Sequence, residues 1–206
     1  MAWFLLIISI VALIASIIRV TTTSDDSDEN NNNSNNSDEN DNKPKIKRML
    51  FECVGEMADN DNGKNRQDII KRITKNYKKE ILSSADLFNG YSTAEIKEMY
   101  GSVSEFEDVE FDGIYKKVEY KGKPAYIILM KDTDDNYYEV ANIAKDDISK
   151  FEDIVNNNEV LNTVIYVTGG KTKEGTYNDY GKEIVETTEL NYGIDLRISF
   201  KNKDEK

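Results

Sequence analysis

Apolar and polar positions fall into four stretches of different rhythm along this chain. Residues 3–18, WFLLIISIVALIASII, are apolar throughout except for Ser9 and Ser16. At about 1.5 Å of rise per residue, a helix over residues 1–22 matches a hydrocarbon core roughly 30 Å thick. The run has no polar face, which argues against a buried core helix. A cleaved signal peptide is the alternative, but no Lys or Arg precedes the run and no small-x-small site closes it. A single membrane anchor over 1–22 is therefore expected. One flanking base, Arg19, is a thin signal for orientation, and the soluble part is placed on the extracytoplasmic side with that orientation open.

Ser24 to Asn42 contains no apolar residue. Nothing in such a stretch offsets the entropy of ordering it, so 23–45 is read as a disordered Asn/Asp/Ser-rich linker. Two formal glycosylation sequons, at Asn32 and Asn35, fall in this low-complexity tract and are attributed to chance.

The third stretch, 46–105, reads as a helical preamble. Met49, Leu50, Phe51 and Val54 suggest a short apolar element, and Asp59 to Gly63 a turn. From Gln67, residues Ile69, Ile70, Ile73, Tyr77, Ile81 and Leu82 recur at helical spacing, with Lys71, Arg72, Lys75, Lys78 and Lys79 on the other face. A capping box, Ser92 to Glu95, opens a second helix that runs to about Tyr100.

After Glu105 the period drops to two. Val109 to Tyr115, Ala125 to Met130 and Tyr137 to Ala141 predict three strands separated by turns at Tyr120–Lys123 and Asp132–Asn136. A short helix follows over Asp146–Val155. Then come a strand at Leu161–Thr168, a polar loop from Gly169 through Gly181, and strands at Glu183–Leu190 and Ile194–Phe200. The fold class expected is mainly β (α+β): a small five- or six-stranded barrel over 106–202, preceded by one or two helices.

Three meandering strands, a helix, then two or more strands is the order of an OB-type barrel, where the helix bridges strands three and four. The chain resembles the OB-fold domains of bacterial membrane-anchored or secreted proteins, the tRNA-anticodon-binding-like group. The resemblance lies in a helix such as Ser84-Ala85-Asp86-Leu87-Phe88 to Tyr100 preceding a strand like Phe111-Asp112-Gly113-Ile114-Tyr115. It covers about residues 83–192 and rests on element order and a few glycines. It implies the barrel and leaves the function open, because fold does not determine function.

Charge narrows the partners. The chain carries a net −12, and residues 43–206 alone have 26 bases against 32 acids. That balance argues against nucleic acid, whose binding needs Lys and Arg to displace counterions. There is no histidine and only one cysteine, Cys53, so His-based triads and Cys/His zinc sites are excluded, as is an internal disulfide. Gly169-Gly170 lacks the Lys-Ser/Thr of a phosphate loop. Asp132–Asn136 and Asp59–Gly63 begin like calcium loops but lack the glycine at position six and the glutamate at position twelve. No catalytic residue, metal site or cofactor is expected.

Twelve tyrosines are the most unusual positive feature. Outward aromatics on an OB sheet can stack bases or sugars, which makes Tyr115, Tyr126, Tyr138 and Tyr166 the candidate ligand-binding residues. The competing reading is that strands favour tyrosine and bury its ring. The leading expectation is a membrane-tethered, non-catalytic binding module for a protein or small ligand. A single-stranded nucleic-acid binder using Lys71–Lys79, a carboxylate-based hydrolase and a structural subunit of an envelope assembly are the alternatives.

Overall fold

The computed structural model describes residues 45–99 and 101–203. The expected anchor, and the expected linker up to residue 44, lie outside the described residues. Among the described residues no helix is long and apolar enough to cross a membrane.

Strand β1, Lys47–Val54, alternates by side: Phe51 and Cys53 point into the core, while Leu50, Glu52 and Val54 point out. Helix α1, Arg66–Glu80, starts where the sequence pattern places it. Asn65 caps it by accepting the Gln67 N–H at 2.9 Å, and Ile69, Ile70 and Ile73 are buried on its inner face. A 3₁₀ segment, Ser84–Gly90, leads to helix α2, Thr93–Glu98. The capping box is present as read: the Ser92 N–H donates to Glu95 Oε2 at 2.7 Å, and the Glu95 N–H donates to Ser92 Oγ at 3.3 Å. A three-residue strand, β2, covers Ser102–Ser104.

The meander follows as β3 (Glu110–Tyr120), β4 (Lys123–Lys131) and β5 (Tyr137–Ile143). Lys121 and Gly122 have φ of 52° and 73°, so a two-residue turn of the hairpin-forming kind joins β3 to β4. Helix α3, Ile148–Asn157, then leads into β6 (Asn158–Tyr177) and β7 (Glu183–Asn202).

Neighbouring strands pair in the order β6-β3-β4-β5-β1-β7, and β7 pairs back onto β6. All pairings are antiparallel, so the six strands close a barrel, with β2 attached outside it on β6. The connectivity is compatible with an OB-like fold. β1 lies inside the stretch expected as helical preamble, yet it is a barrel strand. Because β1 runs antiparallel to both β5 and β7, those two are parallel to each other, and β1 fills the gap between them.

Helix α3 plugs one end of the barrel. Its Phe151 ring lies 5.2 Å from Phe51, 5.1 Å from Tyr115 and 4.8 Å from Tyr126. Helix α1 covers another opening, with the Tyr77 ring 4.7 Å from Phe111.

The final hairpin differs from its sequence reading. β6 does not stop at Gly169-Gly170, and β7 is one strand rather than two. The register shifts between Thr168 and Gly170, where both glycines have positive φ (72° and 65°). This is a bulge that bends the ribbon without ending it. A Cβ on Gly169 would lie 2.1 Å from the Asn191 carbonyl oxygen, so only glycine fits there. Beyond the bulge the β6–β7 ribbon leaves the barrel as an arm, with β2 paired along the other edge of β6. Helix α2 packs against it, so close to Gly175 that a Cβ there would lie 2.6 Å from the Ile96 carbonyl oxygen.

Three connections share one construction. In each, an Asn or Asp side chain accepts the backbone N–H groups two and four residues on: Asn60 from Asn62 and Lys64, Asp132 from Asp134 and Asn136, Asn178 from Tyr180 and Lys182. The fourth residue of each loop is left-handed: Gly63, Asp135 and Gly181, at φ 70°, 64° and 70°. Both calcium-like stretches are therefore turns, each built around one side-chain oxygen, of Asn60 or Asp132, that the chain's own backbone occupies.

Candidate binding groove

The four candidate tyrosines do not form one face. Tyr115 and Tyr126 come together, with ring centroids 6.2 Å apart, but both pack on Phe151 under helix α3. Tyr126 is fully buried, and its hydroxyl donates to Glu152 at 3.3 Å. Burial raises the pKa of both phenols.

Tyr138 lies elsewhere, beneath the Arg72 guanidinium at 4.3 Å, beside the buried Asp132 that Arg72 also reaches at 3.6 Å. Tyr166 stands on the outer wall between β3 and β7. Its hydroxyl donates to Glu110 at 2.9 Å and accepts from Arg197, which itself holds Glu110 at 2.5 Å. Burial, then the bond to Glu110, pushes this phenol up to about 12. Each ring already has protein partners.

Three of the five bases on the outer face of α1 are likewise engaged. Lys71 pairs with Glu189 at 3.0 Å, Arg72 with Asp132, and Lys78 with the buried Glu105.

Carboxylates gather on the outer wall of β1 and β7. Glu52 and Asp195 are direct cross-strand partners, and Glu56 follows in the loop after β1. With Leu50, Cys53 and Thr168 they line a cleft of about 600 Å³. Burial raises the pKa of Glu56, although N–H donation from Ile194 opposes it. Burial, then the Glu52 charge, raises Asp195. Cys53 beneath them is buried and its pKa is driven far upward by desolvation, so it stays a thiol and is no nucleophile. Among the described residues no group of three or more such side chains is placed to hold a metal ion.

A second concavity involves none of the predicted residues. It is a groove of about 710 Å³ where the end of β1, the β3–β4 hairpin, the end of β5 and the start of α3 converge. Val54, Pro124, Ala125, Ile143 and Ile148 supply apolar walls, and Tyr120 stands at one side, 65% exposed. Lys121, Lys123 and Lys145 ring it. Among the described residues lining the groove the one acid, Glu152, is paired with Lys117, which holds its pKa down.

Local chemistry explains the shape. The tight Lys121-Gly122 turn carries Tyr120, Lys121 and Lys123 at the hairpin tip, while the turn into α3 leaves Ile148 half-buried at the groove. The Lys-Gly turn is legible in the sequence, but its meeting with Val54 and Ile143, across ~70 and ~20 residues of chain, is a matter of barrel closure. Compared with known proteins, no family model matches the chain, nor does any curated protein or solved structure.

Proposed function

We propose that the chain is a membrane-tethered, non-catalytic binding module of OB-like build, whose groove takes an apolar ligand or protein segment carrying an anionic group. The groove carries this reading: apolar walls ringed by three lysines, on a chain whose net charge is −12. Apolar walls supply binding energy by leaving water, and the lysines select the sign of the ligand's charge. The tether rests on the apolar run at residues 3–18.

The groove half is tested with anilinonaphthalene sulfonate, an apolar anion that brightens when desolvated. Saturable binding to the full chain is expected, and Lys121→Glu, Lys123→Glu and Lys145→Glu together should weaken it by about tenfold or more, near 1.4 kcal/mol. Binding that ignores the triple reversal sinks this reading. The tether half is tested by alkaline extraction of membranes from expressing cells, where release into the supernatant rejects it.

The pair Glu56 and Asp195, both raised and lining one cleft, favours a second reading, a carboxylate-based hydrolase. It requires that Glu56→Gln and Asp195→Asn each abolish a measurable hydrolysis. The binding reading is preferred because burial, with the like charge of Asp195 at Glu56 and of Glu52 at Asp195, accounts for the raised pKa values without any substrate.

A further inference from the structure

Between Glu183 and Leu190, β7 is paired only on its β6 side. β1 joins β7 only from Asp195 onward, and no described strand takes the edge before it. Gln67 marks where that open edge begins: its side-chain amide donates to the Tyr192 carbonyl at 2.7 Å and accepts the Tyr192 N–H at 2.8 Å. From there to the turn at Asn178, half the backbone N–H and C=O groups of β7 point outward unpaired by any strand, a template for another strand.

One face of this arm carries Ile184, Glu186, Thr188 and Leu190 on β7, opposite Thr176, Glu174, Thr172 and Gly170 on β6. Ile184 and Leu190 are exposed at 36% and 55%.

We propose that this edge pairs with the same edge of a second copy of this chain, antiparallel and centred on Thr187. The register argues for it. In a two-fold strand pairing, opposite residues must share a face, so the register moves in steps of two residues. Centred on Thr187, Ile184 faces Leu190 of the second copy at both ends, Glu186 faces Thr188, Val185 faces Glu189, and Glu183 faces Asn191. Two apolar pairs form and no two acids stand opposite.

Centring on Glu186 sets that glutamate against itself and Ile184 against Thr188. Centring on Thr188 sets Ile184 against Tyr192, whose backbone groups Gln67 already holds. Cross-strand pairs of like charge are unfavourable and apolar pairs favourable, so the glutamates select the Thr187 register. Glu189 is already neutralised by Lys71 at 3.0 Å. Glu186 and Glu174 of both copies remain near the two-fold axis, so added salt strengthens the pairing. The proposal is independent of the groove and its ligand.

The test is disulfide trapping in the full chain, purified in mild detergent. Thr187→Cys lies directly opposite its counterpart, where Cα atoms about 4.5–5.5 Å apart suit a disulfide. Glu183→Cys would sit about 27 Å from its own counterpart, at ~3.4 Å per residue over eight residues. Mild oxidation should link Thr187→Cys at least about tenfold faster than Glu183→Cys, because paired edges raise the local thiol concentration. Sedimentation of the unmodified chain should show a dimer fraction that grows with salt. Linking at equal rates in both variants overturns the proposal, as does linking in neither, which is the outcome if the edge instead takes a strand of a basic protein.

Discussion

Gln67 and Tyr192 meet as a strand pair would, although one of them is on a helix. The Gln67 side chain accepts the Tyr192 N–H at 2.8 Å and donates to the Tyr192 carbonyl at 2.7 Å. A single amide thus satisfies both backbone groups of Tyr192, beside the bulge that separates barrel from arm. It also ties helix α1 to β7.

Removing that amide strands two partly buried backbone groups. Gln67→Ala should cost about 1–2 kcal/mol in urea unfolding, the penalty for unmade hydrogen bonds. Gln67→Glu should cost at least as much, because a carboxylate cannot donate to the Tyr192 carbonyl. A loss of a few tenths or less in both would show that water replaces the side chain freely.

Asp132 and Asp195 predict opposite pH effects. Burial alone would raise Asp132, but N–H donation from Asn136 and Asp134, with Tyr138 and Arg72, holds its pKa below the ordinary value. A depressed folded pKa means stabilisation that is complete above the unfolded value, about 3.9, and lost as pH falls through the folded one. Asp132→Asn should therefore be less stable than the parent by about 1 kcal/mol at neutral pH. The two melting temperatures should converge below about pH 4. A gap that persists in acid contradicts the assignment.

For Asp195 the sign reverses. Burial and then the Glu52 charge raise its pKa, so its ionisation costs stability above the folded pKa and costs nothing below the unfolded value near 3.9. Asp195→Asn, which removes the like charge opposite Glu52, should stabilise by about 0.5–1 kcal/mol at pH 7. That gain should vanish on acidification toward about pH 4. Thermal melts of parent and variant across this range check it.

Asp135 holds the left-handed fourth position that Gly63 and Gly181 hold in the two matching loops. Replacing it with glycine relieves a conformation that costs an L-residue energy, at the loss of an exposed 2.7 Å pair with Lys131. Surface pairs contribute little, so Asp135→Gly should gain about 0.5–1 kcal/mol. A destabilised Asp135→Gly would mean the Lys131 pair matters more than its exposure implies.

Much of the fold was legible locally. Ile69, Ile70 and Ile73 at helical spacing place α1, Ser92 and Glu95 start α2, and the alternation around Phe111 with the apolar runs around Ile128 and Val140 marks the meander. β1 was not, because both of its faces carry apolar residues. Leu50 and Val54 face outward beside inward Phe51 and Cys53, which hides the period of two. Its ladder partners, Asp195 to Phe200, stand far along the chain. The Gly169-Gly170 pair has two physical meanings, strand end or bulge, and the choice depends on what Asn191 and Tyr192 do opposite it. Among the candidate site residues, Tyr115 and Tyr126 follow strand periodicity, but the same alternation serves a stacking face and a core. The α3 plug decides in favour of the core.

The sequence alone determined the periodicities: where the chain is apolar without break, where no core can form, where helices start and which strands meander. These depend on contacts within a few residues, and local chemistry specifies them. Tertiary structure decided everything requiring distant segments to meet: β1 as the strand between β5 and β7, the lysine-ringed groove, the like-charged pair of Glu52 and Asp195, and the open edge of β7. Each depends on register across the closed barrel, and a shift of one residue would turn every side chain involved to the opposite face.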